Sequence, residues 1–401
     1  MARKMKDSGI EWIGEIPEGW EVVPVRSCFD EVRTKNTDGQ EQNALQFKSG
    51  NIISKANFNT NIDDYVADII TNYTVVLPDT VMINGLNLNY DFKSLRVALV
   101  KEKGVITSAY LAIFPDREKI FPQYATYLFK GYETKMAFHN MGAGIRKTLG
   151  YKEFKNQPLL LPSKEEQNKI SAYLDSKCSH IDIMLSKICS SIEKYKKLKQ
   201  AIITQAVTKG VRGKREMKDS GVEWIGEIPA EWSIAKAKYY VTITHGSDPK
   251  TEGSIPVYGS GAESFKTCGE YKEGPTVLIG RKGATLHIPH YIEGKYWNVD
   301  TAFDVKAKNN FSLPYYYYLA TSFDYKFYIA QTTLPGMTQS NYYNMFLPLP
   351  TFPEQEEIVN YLDAKCAEID GLIAKKEQLV RELESYKKSL IYEVVTGKRE
   401  V

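Results

Sequence analysis

A long internal repeat constrains this chain more than any other feature of its sequence. Residues 5–20 read MKDSGIEWIGEIPEGW and residues 217–232 read MKDSGVEWIGEIPAEW, so the two copies differ at only three positions. The tetrapeptide Gly-Lys-Arg-Glu also occurs twice, at residues 213–216 and 397–400. A repeat of this length predicts two units in tandem.

Composition indicates a soluble, cytoplasmic protein whose charge is local rather than uniform. With 401 residues, 43% of them hydrophobic, the chain has enough apolar material for more than one core. The formal net charge of +3 excludes a wholly basic coat, so any surface for a polyanion must be a patch. Five cysteines without a Cys-x-x-Cys pair indicate reduced thiols, and the apolar runs are too short to span a membrane.

Residues 21–160 form the first predicted globule, with mostly β-structure. Short apolar runs at residues 75–77, 81–83 and 111–114 are typical of strands. Pro122 suits a first helical turn, and the helix that follows it is expected to carry Tyr124, Tyr127, Leu128 and Met136.

Residues 233–348 form a second predicted globule. It has little overall identity to the first, but short matching segments occur in the same order. Residues 45–50 match residues 256–261, 81–84 match 277–280, 106–110 match 299–303, and 121–122 match 313–314. The two globules are therefore expected to share a fold but not a surface, which suggests two related recognition tasks with different targets.

Each globule is followed by a segment with helical periodicity, at residues 161–212 and 349–401. Residues 163–166 and 351–354 have the pattern of a capping box at the start of each helix, and Gly210 and Gly397 are expected to end them. At about 45 residues, each unbroken helix would be roughly 65–70 Å long.

Apolar residues along both segments follow the spacing of a coiled-coil seam, which Lys376 interrupts. The seam consists of Ile170, Leu174, Ile181, Leu185, Ile188 and Ile192 in the first helix and Ile358, Leu362, Ile369, Ile373, Val380 and Leu383 in the second. Two helices that each return the chain to the other globule are most simply packed antiparallel. The predicted fold is therefore α+β, with leaders at residues 1–20 and 213–232, two mostly-β globules, an antiparallel coiled coil and an internal pseudo-twofold repeat.

Catalytic motifs are weak in this sequence. No Gly-Lys pair is followed by Ser or Thr, so a phosphate-binding loop is not predicted. His287 and His290 have the spacing of a partial metal site, but an ordinary pair of strand histidines is the better interpretation. A nuclease pattern of carboxylates with a lysine occurs loosely twice in the first globule and does not occur in the second; its residues are Asp116, Glu133 and Lys135, and Asp79, Asp91 and Lys93.

Polar and basic loop residues are more numerous, and they occur at matching places in the two globules. Arg, Lys, Asn and Gln make bidentate contacts to guanine and adenine edges, and backbone amides beside glycine can reach phosphates. The candidate DNA-binding residues are Lys48, Asn84, Asn87, Asn89, Lys93, Arg96, Arg146 and Lys147 in the first globule and Lys250, Tyr258, Ser260, Arg281, Lys282, Gln339 and Asn341 in the second.

A basic stretch at the end of the first long helix allows several interpretations. Such runs are usually solvated faces, but this one could also pair with Glu368 and Asp370 across an antiparallel coil or follow DNA phosphates. Its members are Lys194, Lys196, Lys197, Lys199, Lys209, Arg212, Lys214 and Arg215.

The repeated motifs carry a resemblance to a known family. The Trp-Ile-Gly-Glu-Ile-Pro leaders at residues 12–17 and 224–229, each followed by a tryptophan, resemble those that precede the target-recognition domains of specificity subunits in type I restriction–modification systems. The Leu-Pro-x-x-x-Glu-Gln-x-x-Ile motif, at residues 161–170 and 349–358, is similar to the start of that family's conserved helices. Residues 256–259 and 279–283 also look typical of its domains, so the resemblance covers essentially the full chain.

This resemblance implies a subunit that is not an enzyme. It would bind a bipartite, asymmetric site on double-stranded DNA, one half-site per globule, while the paired helices set the spacer. It would dock two methyltransferase subunits, which modify adenine at N6 with S-adenosylmethionine, and two restriction subunits, which use ATP and Mg²⁺. This chain would bind no metal or cofactor itself. The first globule is longer than the second, so base contacts cannot be transferred to it residue by residue.

Three alternatives remain open from the sequence. The chain could serve a related system in which modification and cleavage share one polypeptide. It could itself be a nuclease that uses Asp116, Glu133 and Lys135. It could also be a structural coiled-coil linker with no role in DNA binding.

Overall fold

The chain divides into two compact units that share its two long helices. A computed structural model describes residues 3–48, 50–55, 70–92, 95–142, 147–261, 263–283, 285–308, 310–325 and 336–401. One unit comprises residues 1–187 and 379–401, and the other comprises residues 188–378. Each unit therefore contains one leader, one globule and a segment of each long helix.

The first globule, with its leader, is built mainly from short strands. Its described strands are β1 (Met5–Asp7), β2 (Glu15–Pro17), β3 (Glu21–Pro24), β4 (Phe29–Glu31), β5 (Leu45–Lys48), β6 (Asn51–Ser54), β7 (Thr74–Val76), β8 (Val81–Ile83), β9 (Val97–Leu99), β10 (Gly104–Ile106), β11 (Leu111–Pro115) and β12 (Pro158–Leu161). The helices are α1 (Pro122–Thr134) and α2 (Tyr151–Phe154). The central antiparallel sheet has the order β4-β11-β8-β9, with Met82 opposite both Ala112 and Ala98.

After helix α3 (Lys164–Lys209), the chain enters the second leader and globule. The strands described there are β13 (Met217–Asp219), β14 (Glu227–Pro229), β15 (Ser233–Lys236), β16 (Val241–His245), β17 (Ile255–Tyr258), β18 (Lys266–Cys268), β19 (Lys272–Glu273), β20 (Thr276–Gly280), β21 (His290–Ile292), β22 (Lys295–Asn298), β23 (Ala302–Ala307) and β24 (Phe346–Leu349). The helices are α4 (Leu313–Ser322) and α5 (Gln339–Asn344), and α6 (Phe352–Val395) follows β24.

The two globules have the same central topology, which confirms the predicted shared fold. The sheet β16-β23-β20-β21 of the second globule repeats the order β4-β11-β8-β9 of the first. The leader hairpins β1-β2 and β13-β14 correspond, as do the pairs β3-β12 and β15-β24. The globules differ in their remaining strands, which form the sheet β18-β17-β22-β19 in the second and the pairs β5-β6 and β7-β10 in the first.

The predicted strands and the predicted helix of the first globule are present, with one correction. Tyr124, Tyr127 and Leu128 lie on α1 and are buried. Met136 is not on α1, because the helix ends at Thr134. Its backbone N–H donates to the Glu133 carbonyl at 2.9 Å, so the chain tightens into a turn; Met136 has a φ of 53° and is 48% exposed.

The capping boxes predicted at the starts of α3 and α6 are only partly correct. Ser163 accepts a hydrogen bond from the Glu166 backbone N–H at 3.3 Å, as a capping residue should. The Glu166 carboxylate does not complete the box, because it accepts from the Trp20 indole Nε1 at 2.8 Å. Glu354 likewise accepts from Trp232 Nε1, at 3.0 Å. The repeated glutamate therefore joins each leader to the helix that follows its globule.

The glutamine after each of these glutamates joins the globule to the same helix. Gln167 is fully buried, and its Oε1 accepts from the Phe121 backbone N–H, which precedes α1, at 2.8 Å. Gln355 repeats this contact with the backbone N–H of Ser312, which caps α4, at 2.8 Å. The Glu-Gln motif thus stabilises the junction of leader, globule and long helix in each unit.

Helices α3 and α6 are 46 and 44 residues long and unbroken. The chain leaves both through glycines with left-handed backbones, since Gly210 has a φ of 74° and Gly397 a φ of 70°. This confirms that the two glycines end the helices.

The predicted antiparallel pairing of α3 and α6 is visible within each unit. In the second unit, Lys199 Nζ lies 2.6 Å from Asp370 Oδ2, and farther along the chain Arg212 lies 2.7 Å from Glu357. The partner residue number falls as the first rises, so the helices run in opposite directions. In the first unit, Lys387 Nζ donates to Asp182 Oδ1 at 2.6 Å.

Burial along the predicted seam is strongest at the helix ends. Ile170, Leu174 and Ile181 join the core of the first globule, and Ile358 and Leu362 join the core of the second. Other seam residues are buried or half-buried: Leu185, Ile188, Ile192, Ile369, Ile373, Val380 and Leu383. Lys376, the interrupting residue, places its ammonium 5.6 Å from the Tyr195 ring centre.

Two predictions from composition concern cysteines and membrane helices. All five cysteines are free, and four of them are buried. Among the described residues, no helix is both long enough and apolar enough to cross a bilayer.

Candidate nucleic-acid interface

The equivalent strands β8 and β20 run into loops of different composition. Strand β20 is followed by Arg281, Lys282 and Gly283, whereas β8 is followed by residues 84–91, which contain three asparagines and no basic residue. Loops at strand ends can vary without disturbing the sheet that carries them. One scaffold thus presents two different surfaces.

Three loops of the second globule meet around Arg281. Its backbone N–H donates to the Thr301 carbonyl at 2.8 Å, and its carbonyl accepts from the Met337 N–H at 2.8 Å. Ser260 also lies close, because a Cβ added to Gly283 (φ 110°) would be 3.1 Å from the Ser260 hydroxyl oxygen. Segments far apart in the sequence therefore form one surface.

Arg281 and Lys282 share one acidic partner, Asp300. Arg281 Nη1 donates to the Asp300 carbonyl at 3.0 Å and to its carboxylate at 3.4 Å, and Lys282 Nζ lies 3.9 Å from the same carboxylate. The side chains of Arg281, Lys282 and Asp300 are 30%, 46% and 55% exposed. Two cations against one carboxylate leave this surface with a positive charge that can attract phosphate.

Asp300 was not among the residues predicted from the sequence. It lies in residues 299–303, which match residues 106–110 of the first globule. That match is the sequence signal that could have identified Asp300. Its contact with Arg281 could not be predicted, because the two residues follow different strands.

The remaining candidates of the second globule have mixed placements. Tyr258 is half-buried, and its carbonyl accepts from the Val299 N–H at 3.0 Å, beside Asp300. Gln339 begins α5, and its side-chain Nε2 donates to the Ile243 carbonyl at 2.7 Å. This amide therefore has a structural contact already.

Asn341 and Lys250 make backbone contacts with other residues of the second globule. The Asn341 backbone N–H donates to the hydroxyl of Thr338, the residue that caps α5, at 3.0 Å. Lys250 is exposed between β16 and β17, and its backbone N–H donates to Glu270 at 2.7 Å. The Thr251 hydroxyl and several backbone N–H groups also donate to Glu270 and lower its pKa to about 2.

The loop after β8 is packed against the segment that contains Lys147. The Leu88 N–H donates to the Lys147 carbonyl at 3.2 Å. Gly85 leaves room for the chain, because a Cβ there would lie 2.5 Å from the Leu149 carbonyl oxygen. Asn87 is exposed in a left-handed conformation with φ 53°, and the Lys147 side chain is also exposed. Asn87 and Lys147 therefore belong to one surface.

Asn84 and Asn89 are half-buried, and Lys48 is exposed at the end of β5. The Asn84 side-chain oxygen accepts from the Leu86 N–H at 3.2 Å, so this asparagine shapes its own loop. Lys93 and Arg146 lie outside the described residues.

Arg96 is the one candidate among the described residues whose side chain is fully buried. It is 1% exposed, and its guanidinium donates to the carbonyls of Asn84, Leu86 and Asp91 at 2.9, 2.9 and 2.5 Å. The prediction of Arg96 as a residue that contacts DNA is therefore corrected, because its side chain is buried. The sequence pattern of a basic residue after a loop does not distinguish a surface cation from one that binds the loop's own backbone.

The basic stretch at the end of α3 makes ion pairs within the second unit. Lys199 pairs with Asp370, as one interpretation expected, whereas Glu368 pairs with Lys365 on its own helix at 2.9 Å. Arg215 lies 2.6 Å from Glu354. Part of this charge therefore stabilises the fold.

Among the described residues, the weaker chemical patterns are not brought together into a site. Within the part of the chain that the structure describes, no three His, Cys, Asp or Glu residues are placed to hold a metal ion. Asp116 pairs with Lys119 at 2.9 Å, and Glu133 accepts from the Arg96 backbone N–H at 2.5 Å. The expected strand pair of histidines is wrong in part, because His290 lies on β21 but His287 lies in a turn. Burial lowers the pKa of His290.

A cleft of about 1100 Å³ opens beside α1 in the first unit. Lys130, Glu133, Lys387 and Lys388 contribute to its charged lining, together with exposed apolar residues such as Phe92. Asn87 and Lys147 do not line it.

The two globules thus combine one topology with different polar loops at equivalent strand ends. Residues 235–381 match the family described as "Type I restriction modification DNA specificity domain". The match covers nearly all of the second globule and continues into α6.

Named relatives match nearly the whole chain. The putative type I restriction enzyme MjaX specificity subunit of Methanocaldococcus jannaschii is 24% identical, over 96% of this chain and 95% of the relative. The type I restriction enzyme MjaVIII specificity subunit of the same organism is 23% identical, over 96% of this chain and 93% of the relative. The predicted resemblance to specificity subunits is thus confirmed.

A solved structure shows that the fold is shared as well. It is described as the structural basis underlying complex assembly and conformational transition of the type I R-M system. The matching chain covers 96% of this chain and 99% of its own length, with a TM-score of 0.72 and 15% identity.

Proposed function

We propose that this chain is the DNA sequence-specificity subunit of a type I restriction–modification complex and has no catalytic activity of its own. It recognises a bipartite, asymmetric site on double-stranded DNA, with one half-site for each globule. The observation that carries this proposal is the repetition of one sheet topology with different loops after β8 and β20. The match of residues 235–381 to a DNA specificity domain supports it.

The loops divide the work of binding between phosphates and bases. Arg281 and Lys282 provide cations at the surface of the second globule, and Lys147 provides one in the first. Such cations contact phosphates and fix the register of the protein on DNA, whereas side chains that reach base edges determine sequence. Asn87, which is exposed, and Arg281, which is partly exposed, are side chains of the types that pair with adenine and guanine edges.

Helices α3 and α6 set the spacer between the half-sites. Their antiparallel contacts within each unit, such as those of Lys199 with Asp370 and Lys387 with Asp182, hold the two helices in one register. The lengths of these helices, 46 and 44 residues, support a role in setting the distance between the half-sites.

Partner subunits supply the chemistry. Two methyltransferase subunits use S-adenosylmethionine to modify adenine at N6, and two restriction subunits use ATP and Mg²⁺; this chain binds none of these cofactors. The complex acts in the cytoplasm. The description of the solved neighbour, which concerns complex assembly of a type I system, supports this proposal.

Sequencing that reports methylated adenines tests the function. DNA is taken from cells that express this chain with its methyltransferase partner, and from the same cells without this chain. A split motif, modified on both strands and absent from the control, is the expected result. A continuous motif, or no motif, would contradict the proposal.

A further inference from the structure

The buried Arg96 guanidinium is the internal support of the loop after β8. Three of its hydrogen bonds go to carbonyls within residues 84–91, from Asn84, Leu86 and Asp91. The Asp91 carboxylate lies 3.7 Å from the same guanidinium. One side chain therefore contacts the beginning, the middle and the end of the loop.

A cation at this position requires those contacts. An ionised group that is 1% exposed is costly unless its donors are hydrogen-bonded. Arg96 leads into β9, which pairs with β8, so its backbone belongs to the sheet rather than to the loop. The loop carbonyls must turn inward to reach it, and the opposite side of the loop then faces outward.

The outward side carries exposed side chains. Asn87 is exposed with φ 53°, and Tyr90 is 72% exposed. An asparagine can pair with an adenine edge, and a tyrosine ring can contact bases or sugars. Their directions depend on the backbone that Arg96 holds.

The second globule holds its equivalent loop differently. There the backbone itself is hydrogen-bonded, as in the contacts of Arg281 with Thr301 and Met337, and the Tyr342 hydroxyl donates to the Gly280 carbonyl at 2.7 Å. Arg281 remains partly exposed. In the second globule, the loop after β20 thus carries Arg281 on its outer side. In the first globule, the buried Arg96 supports the loop after β8 from within.

We propose that Arg96 is a positioning residue for the first half-site: it sets the conformation of residues 84–91 so that Asn87 and Tyr90 meet the DNA. This inference rests on the proposed function, because it assigns the loop to one of two half-sites. It also predicts that loss of Arg96 affects only that half-site.

The test compares Arg96→Met with wild type by methylated-adenine sequencing and by binding to DNA with single-base changes. Methionine removes the charge and the donors but keeps an unbranched chain. Discrimination at one or two base pairs of one half-site is expected to fall about tenfold or more, while the other half-site keeps its sequence. Asn87→Gly, in which glycine accepts the positive φ, is expected to reduce sequence discrimination at some of the same base pairs. The double variant is expected to reduce discrimination at those base pairs no further than Arg96→Met does.

Arg117→Ala is the matched control, because this arginine is exposed on the same globule, where it pairs with Asp79. It is expected to leave the motif unchanged. The inference is overturned if Arg96→Met retains the complete motif, or if it loses both half-sites equally while its circular dichroism and melting temperature match the wild type. Should Arg96→Met fail to fold, Asn87→Gly and Tyr90→Ala decide the matter, since an intact motif in both would overturn the role of the loop.

The wild type distinguishes this inference from the proposed function. If the wild type gives no split motif, the proposed function has failed. If it gives a split motif that Arg96→Met leaves intact, only the role of Arg96 has failed.

Discussion

Glu354 shows how a repeated residue acquires a structural role in both units. It is 1% exposed, and its carboxylate accepts from Trp232 and Arg215. Glu166 makes the corresponding contacts with Trp20 and Arg3 in the first unit. The repeated text around these residues predicted a shared structure, but not the contact, because the partners lie more than a hundred residues apart.

Glu354→Ala is expected to destabilise the second unit by about 3 kcal/mol, since it leaves a mostly buried arginine and an indole N–H without this acceptor. Urea unfolding followed by tryptophan fluorescence measures the change. Glu368→Ala on the same helix, which removes an exposed pair, is expected to have no measurable effect. Equal effects of the two substitutions would contradict the role of Glu354.

Glu133 should make stability depend on pH. Burial raises its pKa from 4.5 to about 7. The folded chain therefore keeps a proton that the unfolded chain releases, and the contribution of Glu133 to stability falls as the pH rises from about 4.5 to 7. Glu133→Gln is expected to be similar to wild type in stability at pH 5 and more stable at pH 8, by up to about 3 kcal/mol. Melting temperatures across this range test the expectation, and a difference between the two proteins that does not change with pH would refute it.

At the level of elements, local signals in the sequence predicted most of what the structure contains. Helical periodicity predicted α3 and α6, and short apolar runs predicted β7, β8 and β11. Predictions failed where a long-range contact competes with a local rule. Glu166 fits a capping box but bonds to Trp20 instead, and Met136 fits a helical stripe that ends two residues earlier.

A glycine within α6 and the glycine that follows its end give opposite expectations for the same substitution. Gly397→Ala is expected to cost about 2 kcal/mol, because φ is 70° and a Cβ would lie 2.3 Å from Pro17 Cδ. Gly371→Ala is expected to stabilise the protein by about 0.5–1 kcal/mol, because it lies within the helix and its Cβ would meet nothing within 4 Å. Thermal unfolding should shift in opposite directions for the two variants; shifts in the same direction would contradict the assignment of Gly397 as a helix stop.

At the level of the whole molecule, duplication made the architecture predictable and the surfaces unpredictable. The leaders, the matched strands and the two long helices all followed from repeated text. The candidate interface could be predicted only by residue type and position. Whether a basic residue faces outward, as Arg281 does, or inward, as Arg96 does, depends on packing between distant segments that a local pattern does not encode.

The assignment of one half-site to each globule is tested most directly by reading the methylation motif of two variants in the same cells. Asn87→Gly changes only the first globule, and Arg281→Met changes only the second. The expected result is that each variant relaxes base pairs in one half of the split motif, that the two halves differ, and that the spacer length stays the same. If both variants alter the same half, or if either one alters both, the globules do not read separate half-sites.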